Sequence, residues 1–172
     1  YITKPADVSE EMPAVLHLHG GGMAIMKADD SNYIYWRHKL ASTGLIVVGV
    51  EFRNTAGVLG NHPFPAGLND CISGLKWVYE NAEKVNGDKN KMYISGHAAG
   101  GHLASMLCIS GPLLSLGLPK NVIKGATIVS AMLDLEPIFL VPGSEELMIK
   151  QNECKELSPV YNPPDPSIEL VI

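Results

Sequence analysis

Five short apolar runs, each long enough for a strand and separated by helix-length stretches, decide most of what this chain can fold into. They are "AVLHLH" from Ala14, "GLIVVGVEF" from Gly44, "KMYIS" from Lys91, "GATIVSA" from Gly125 and "IELVI" from Ile168. As a set they are rich in β-branched residues. Their nearly unbroken hydrophobicity predicts strands covered on both faces, as in a mostly parallel sheet with helices above and below it. The helices are legible between them. Leu68, Cys71, Ile72, Leu75, Val78, Tyr79 and Ala82 recur at i, i+3, i+4, i+7, the rhythm of an amphipathic helix, introduced by "HPFPAG". Asp29, Asp30 and Ser31 offer N-cap oxygens for another helix running to about Ser42, with Gly44 ending it, and a third begins near Ala98. The alternation predicts an α/β fold with right-handed crossovers. From Leu133 to Pro166 six prolines break the pattern, which predicts an irregular or helical insertion at about 133–166, outside the sheet and placed to cover a site.

At 172 residues the chain fits a single domain, and 46% hydrophobic against 18% charged residues is the balance of a packed core. The net charge of -5 with scattered Lys and Arg argues against nucleic acid and anionic membrane as partners. No stretch approaches a bilayer span. Cys71, Cys108 and Cys154 lack metal or disulfide spacing and read as small buried hydrophobes. The chain reads as soluble, with the cytoplasm the favoured compartment. It opens at Tyr1 and stops in an apolar run at Ile172, so both ends read as cut from something longer.

Two glycine motifs carry the chemistry. "HLHGGGM" sets His19, Gly20, Gly21 and Gly22 directly after a strand, where glycines let the backbone turn sharply and aim its N–H groups at a ligand. "SGHAAGG" follows a strand and opens a helix, the arrangement of a nucleophile elbow written G-x-S-x-G. Gly96, His97, Ala98, Ala99 and Gly100 fill its positions, with Ala98 at the strained centre and small residues where larger ones would clash. The Ala99 N–H at the start of a helix adds a donor and a positive dipole end.

Together these motifs resemble the hormone-sensitive-lipase type of α/β-hydrolase, esterases with an HGGG motif and a G-x-S-A-G-G elbow. "VVGVEFRN", "HPFPAGLNDCISGLKWV" and "LSPVYNPP" are similar to further stretches of that family, so the resemblance spans nearly the whole chain. It implies an α/β-hydrolase fold, here without the N-terminal cap and the C-terminal part. It also implies an oxyanion hole of the Gly21, Gly22 and Ala99 amides, Ala98 at the nucleophile position, and His19 bracing the glycine loop. Arg53 and Asp70 fall on motif positions expected to be scaffold. The implied activity is hydrolysis of short or medium acyl esters through an acyl-enzyme, on a small-molecule ester and without cofactor or metal. Oligomeric state is open, a homodimer included.

Three departures from the family pattern matter. Ala98 has no hydroxyl, so nothing at the elbow can attack a carbonyl. No His follows His102, and Asp134 and Asp165 come too early for the acid of this fold, so acid and base are expected beyond Ile172. His97 stands where the family has Asp, as in the "SGHSAGGH" of arylformamidase-like hydrolases; adjacent to the elbow residue, it should point away from the pocket and serve a structural role. His17 and His19 share a strand face, but no further ligand stands at zinc spacing. His38 and His62 read as surface or loop residues. Two alternatives to an esterase disabled by Ser-to-Ala replacement stay open: a non-catalytic ligand-binding receptor on the same fold, similar in spirit to the gibberellin receptors, and an arylformamidase-like amidase.

Overall fold

The computed structural model describes residues 1–8, 10–56 and 60–172. Within them six strands form one sheet: β1 (Ile2–Thr3), β2 (Met12–Leu18), β3 (Ile46–Gly49), β4 (Gly87–His97), β5 (Ile123–Val129) and β6 (Glu169–Val171). Their spatial order is β1-β3-β2-β4-β5-β6, parallel throughout except for β1, which runs antiparallel to β3. The helices are α1 (Ser31–Ala41), α2 (Ala66–Asn81), α3 (Ala99–Leu107) and the short α4 (Ser110–Leu114). Five strands and three helices match the expected elements. β1 and α4 were not expected, because two residues of strand and five of helix show no period.

The order of the strands locates the site. From β2 the chain steps outward to β3, then returns across β2 to lay down β4, β5 and β6. Right-handed crossovers in opposite directions put their helices on opposite faces. Accordingly Leu75 and Val78 of α2 and Leu103 and Leu107 of α3 join Leu16, Leu18, Ile94 and Ile128 in the main core. α1 lies on the other face, where its buried stripe Tyr33, Arg37 and Ala41 packs toward His17 and Gly49. At such a reversal the carboxyl ends of adjacent strands diverge and leave a crevice. Here those strands are β2 and β4, and each is followed by one of the glycine motifs.

Coverage of both faces holds for β2 and β3, whose residues 14–18 and 46–49 are buried, but not for β4 and β5. There Met92, Ile94 and Ile128 face the core, while Tyr93, His97 and Val129 are exposed on the α1 side. A cavity of about 500 Å³ opens on that side, lined by His17, Trp36, Leu40, Tyr93, His97 and Val129. The apolar runs alone did not distinguish the two cases, since Tyr93 and Val129 are as β-prone as buried neighbours.

The expected cap of α1 is also corrected. Asp30 sits at the N-cap position, yet its side chain bonds no α1 amide; its Oδ2 accepts the Lys27 N–H at 2.8 Å, tightening the loop before the helix. Gly44 does end the helical stretch, at φ +91°, with its N–H on the Ala41 carbonyl. Residues 133–166 contain no strand but four 3₁₀ turns, over 136–140, 144–147, 151–153 and 159–161. This segment is anchored rather than loose. Leu135, Cys154 and Leu157 enter the core, and the buried Ser158 hydroxyl accepts the Leu135 N–H while donating to the Cys154 carbonyl. Asp134 and Asp165 close local turns through the amides of Glu136 and Ser167. All three cysteines are buried, and burial pushes the Cys108 thiol up to about 12. No helix among the described residues is long and apolar enough to cross a membrane.

Candidate active site

β4 passes into α3 through a single residue. Ala98 has φ +51° and ψ -116°, its N–H donates to the Val129 carbonyl at 2.9 Å, and its own carbonyl accepts from His102 one turn into α3. An alanine at positive φ with this ψ lies outside the basins that L-residues favour. Its neighbours impose the conformation. A Cβ on Gly96 would overlap the Gly100 carbonyl, and one on Gly100 would overlap the carbonyls of Leu18 and His19. Glycine at both positions is therefore a steric requirement of the turn.

The glycine loop after β2 is equally constrained. The His19 ring, 1% exposed, stacks on Phe52 at 4.1 Å between centroids and 6° between planes. Its Nδ1 donates to the Gly20 carbonyl at 2.9 Å, which fixes the tautomer, and burial keeps the imidazole neutral by lowering its pKa. Gly20 donates its N–H to the Tyr33 hydroxyl at 2.7 Å. Gly21 and Gly22 then turn at φ +96° and +61°, and the Gly21 carbonyl accepts from Ala24 and Ile25.

The two motifs meet. A Cβ on Gly20 would lie 3.0 Å from the His97 carbonyl oxygen and 3.1 Å from His97 Nδ1, and Gly100 abuts the last peptides of β2. Three amides near this junction, those of Gly21, Gly22 and Ala99, have no hydrogen-bond partner among the described residues. Such donors at a helix start and a glycine turn attract an anionic or polarised oxygen.

His17 and His102 are buried and tie neighbouring elements together. His17 Nδ1 lies 2.8 Å from Ser95 Oγ across the β2–β4 boundary, and its pKa falls to about 4, chiefly through burial, with the positive charge of Arg37 adding to the shift. His102 donates from Nδ1 to the Met132 carbonyl, tying α3 to the loop after β5. His97 is exposed beside Gly20 on the open sheet face. Arg53 and Asp70 pair through Nε–Oδ2 and Nη2–Oδ1 bonds of 2.8 Å, and the Arg53 backbone N–H also donates to Oδ2. Burial pushes the Asp70 carboxyl up, but the Arg53 bonds outweigh it and hold the group below its ordinary value. Sequence reasoning did not single out Tyr33 or Arg37. Their signal was the i, i+4, i+8 spacing of Tyr33, Arg37 and Ala41, which marks the buried stripe of α1 but not what it touches.

A mostly parallel sheet whose reversal point carries a glycine loop packed on a strained strand–turn–helix corner is the architecture of the α/β-hydrolases. The chain belongs to the BD-FAE family, whose model matches residues 1–137. It is 31% identical over 115 residues to carboxylesterase NlhH of Mycobacterium tuberculosis, an alignment covering 64% of this chain and 34% of that protein. Among solved structures, esterase Est22 aligns at 35% identity with a TM-score of 0.63, covering 76% of this chain and 38% of its own. Brefeldin A esterase, a bacterial homologue of human hormone-sensitive lipase, aligns over 94% of this chain and 46% of its own, with 28% identity and a TM-score of 0.65. The expected kinship with hormone-sensitive-lipase-type esterases is borne out, and the chain spans 34% to 46% of the length of these relatives.

Proposed function

We propose that this chain carries the oxyanion-binding part of a carboxylic ester hydrolase of the hormone-sensitive-lipase type, and that Ala98 leaves this form able to bind an acyl ester but not to cleave it. The amides of Gly21, Gly22 and Ala99 would receive the carbonyl oxygen of a short or medium acyl ester. In a form with Ser at 98, its hydroxyl would attack that carbonyl, and the developing negative charge would sit on the same three donors. The catalytic acid and base would come from chain outside residues 1–172. With a methyl group at 98 the binding contribution persists while turnover falls by on the order of 10⁶, the loss found in subtilisin when its nucleophile is removed.

One observation carries this reading: Ala98 holds φ +51° between two motifs packed against each other, and the Gly21, Gly22 and Ala99 amides that flank their contact have no hydrogen-bond partner among the described residues. A turn with no reacting group to present gains nothing from such strain. Ala98→Ser in the intact protein, assayed with p-nitrophenyl acetate and butyrate, should restore hydrolysis. A silent Ala98→Ser that still binds ester analogues favours a non-catalytic receptor, for which Ala98 itself is the motivating feature. Faster cleavage of N-formylkynurenine than of either ester favours an arylformamidase-like amidase, the reading suggested by His97.

A further inference from the structure

The glycine loop is held at its first residue by a side chain from outside both motifs. Tyr33, on the buried stripe of α1, sets its hydroxyl oxygen 2.7 Å from the Gly20 nitrogen, and that oxygen accepts the N–H. Its ring tilts against those of His19 and His17, with centroids 5.6 and 5.9 Å away, and His19 is itself stacked on Phe52. The phenol is thus wedged in place. From the other side comes β4: a Cβ on Gly20 would lie 2.8 Å from the Tyr33 hydroxyl and 3.1 Å from His97 Nδ1. Gly20 is gripped between α1 and the last residue of the strand that leads into the elbow.

Three consecutive glycines have little conformational preference of their own, so a peptide among them can rotate at small cost unless something holds it. The Gly20 N–H is buried, and a buried donor keeps whichever orientation gives it a partner. We propose that Tyr33 is a positioning residue for this loop: by accepting the Gly20 N–H it fixes the His19–Gly20 peptide at the entrance to the glycine run, beside the Gly20–Gly21 peptide whose carbonyl His19 Nδ1 holds, and it withdraws the Gly20 amide from the set open to a ligand. The consequence for turnover rests on the ester-hydrolase reading; the orientation of the loop does not.

Tyr33→Phe removes the acceptor and keeps the ring. Amide hydrogen exchange, read with Ala98 in place, should show Gly20 exchanging about five- to tenfold faster, beyond any change in global opening. Arg37→Lys is the matched control. It loosens α1 one turn further along, where Arg37 donates to the Ala28 carbonyl rather than to the loop, and should leave Gly20 exchange unchanged once global stability is allowed for. In an Ala98→Ser background, Tyr33→Phe should lower kcat on p-nitrophenyl butyrate about five- to tenfold, with KM changed by less than about twofold. Unaltered Gly20 exchange in Tyr33→Phe, an equal acceleration in Arg37→Lys, or an unaltered kcat in an active Ala98→Ser background would each overturn the assignment. If Ala98→Ser hydrolyses nothing while Gly20 exchange accelerates, the hydrolase reading fails and the positioning role stands.

Discussion

Replacing Ala98 by glycine should stabilise the protein. Ala98 sits at φ +51° and ψ -116°, and a non-glycine residue in so sparsely populated a region costs about 1–3 kcal/mol. Glycine removes that strain. Two effects oppose the gain. The unfolded chain becomes more flexible, which costs about 0.5–1 kcal/mol, and a half-buried methyl group is lost, worth less than about 0.8 kcal/mol. At mid-range, about 2 kcal/mol of relieved strain against about 1.2 kcal/mol of opposing terms, the balance is a stabilisation of about 0.8 kcal/mol. Urea unfolding reads it directly: with a slope of about 2 kcal/mol/M, the midpoint should rise by about 0.4 M at constant slope. Ala98→Val should move the midpoint the other way, because a β-branched residue tolerates positive φ worst. A lowered midpoint for Ala98→Gly would refute the reasoning, since the turn would then cost alanine less than the flexibility and methyl burial that glycine forfeits, too little to mark a turn shaped for a particular residue.

Gly100→Ala places a methyl group on two backbone carbonyls that cannot swing aside, so a loss of about 3 kcal/mol or more is expected. At Gly22, φ +61° with open space around the missing Cβ, the same substitution should cost only about 1–2 kcal/mol; denaturant melts of the two variants give the contrast, and equal losses would contradict the packing of α3 on β2. His17 supplies a pH signature. Its folded pKa of about 4 lies below the ordinary 6.5, so the unfolded chain takes up the proton first and stability should fall as pH drops from about 6.5 to about 4. The His17 share is about 3 kcal/mol, and His17→Gln should flatten the profile across that window; a profile unchanged by His17→Gln would show that the imidazole is not buried neutral.

Much of this was open to sequence reading because several signals coincide. β2, β4 and the amphipathic face of α2 were visible through apolar spacing, and the elbow through small residues set between a strand and a helix. What escaped notice depends on contacts distant in sequence. The pairing of Arg53 with Asp70 was undecided until β3 and α2 stood side by side. Asp30 has the side chain of a cap, but a loop amide three residues earlier competes for its oxygen and takes it. Tyr33 is one aromatic among several on α1: the spacing in "SNYIYWRHKLA" marks a buried stripe, but nothing in it says that this ring meets a peptide thirteen residues back.

The corner at residue 98 is maintained by what its neighbours lack. Gly96 and Gly100 leave the room, and the Val129 carbonyl supplies the tether, so the side chain at the apex takes no part in holding up its own mount. An exchange of Ser and Ala there alters neither the glycines nor the tether that form the turn. Under the function proposed above, capture of a ligand would rest on the frame, whereas cleavage would depend on that one exchangeable group acting with its acid and base.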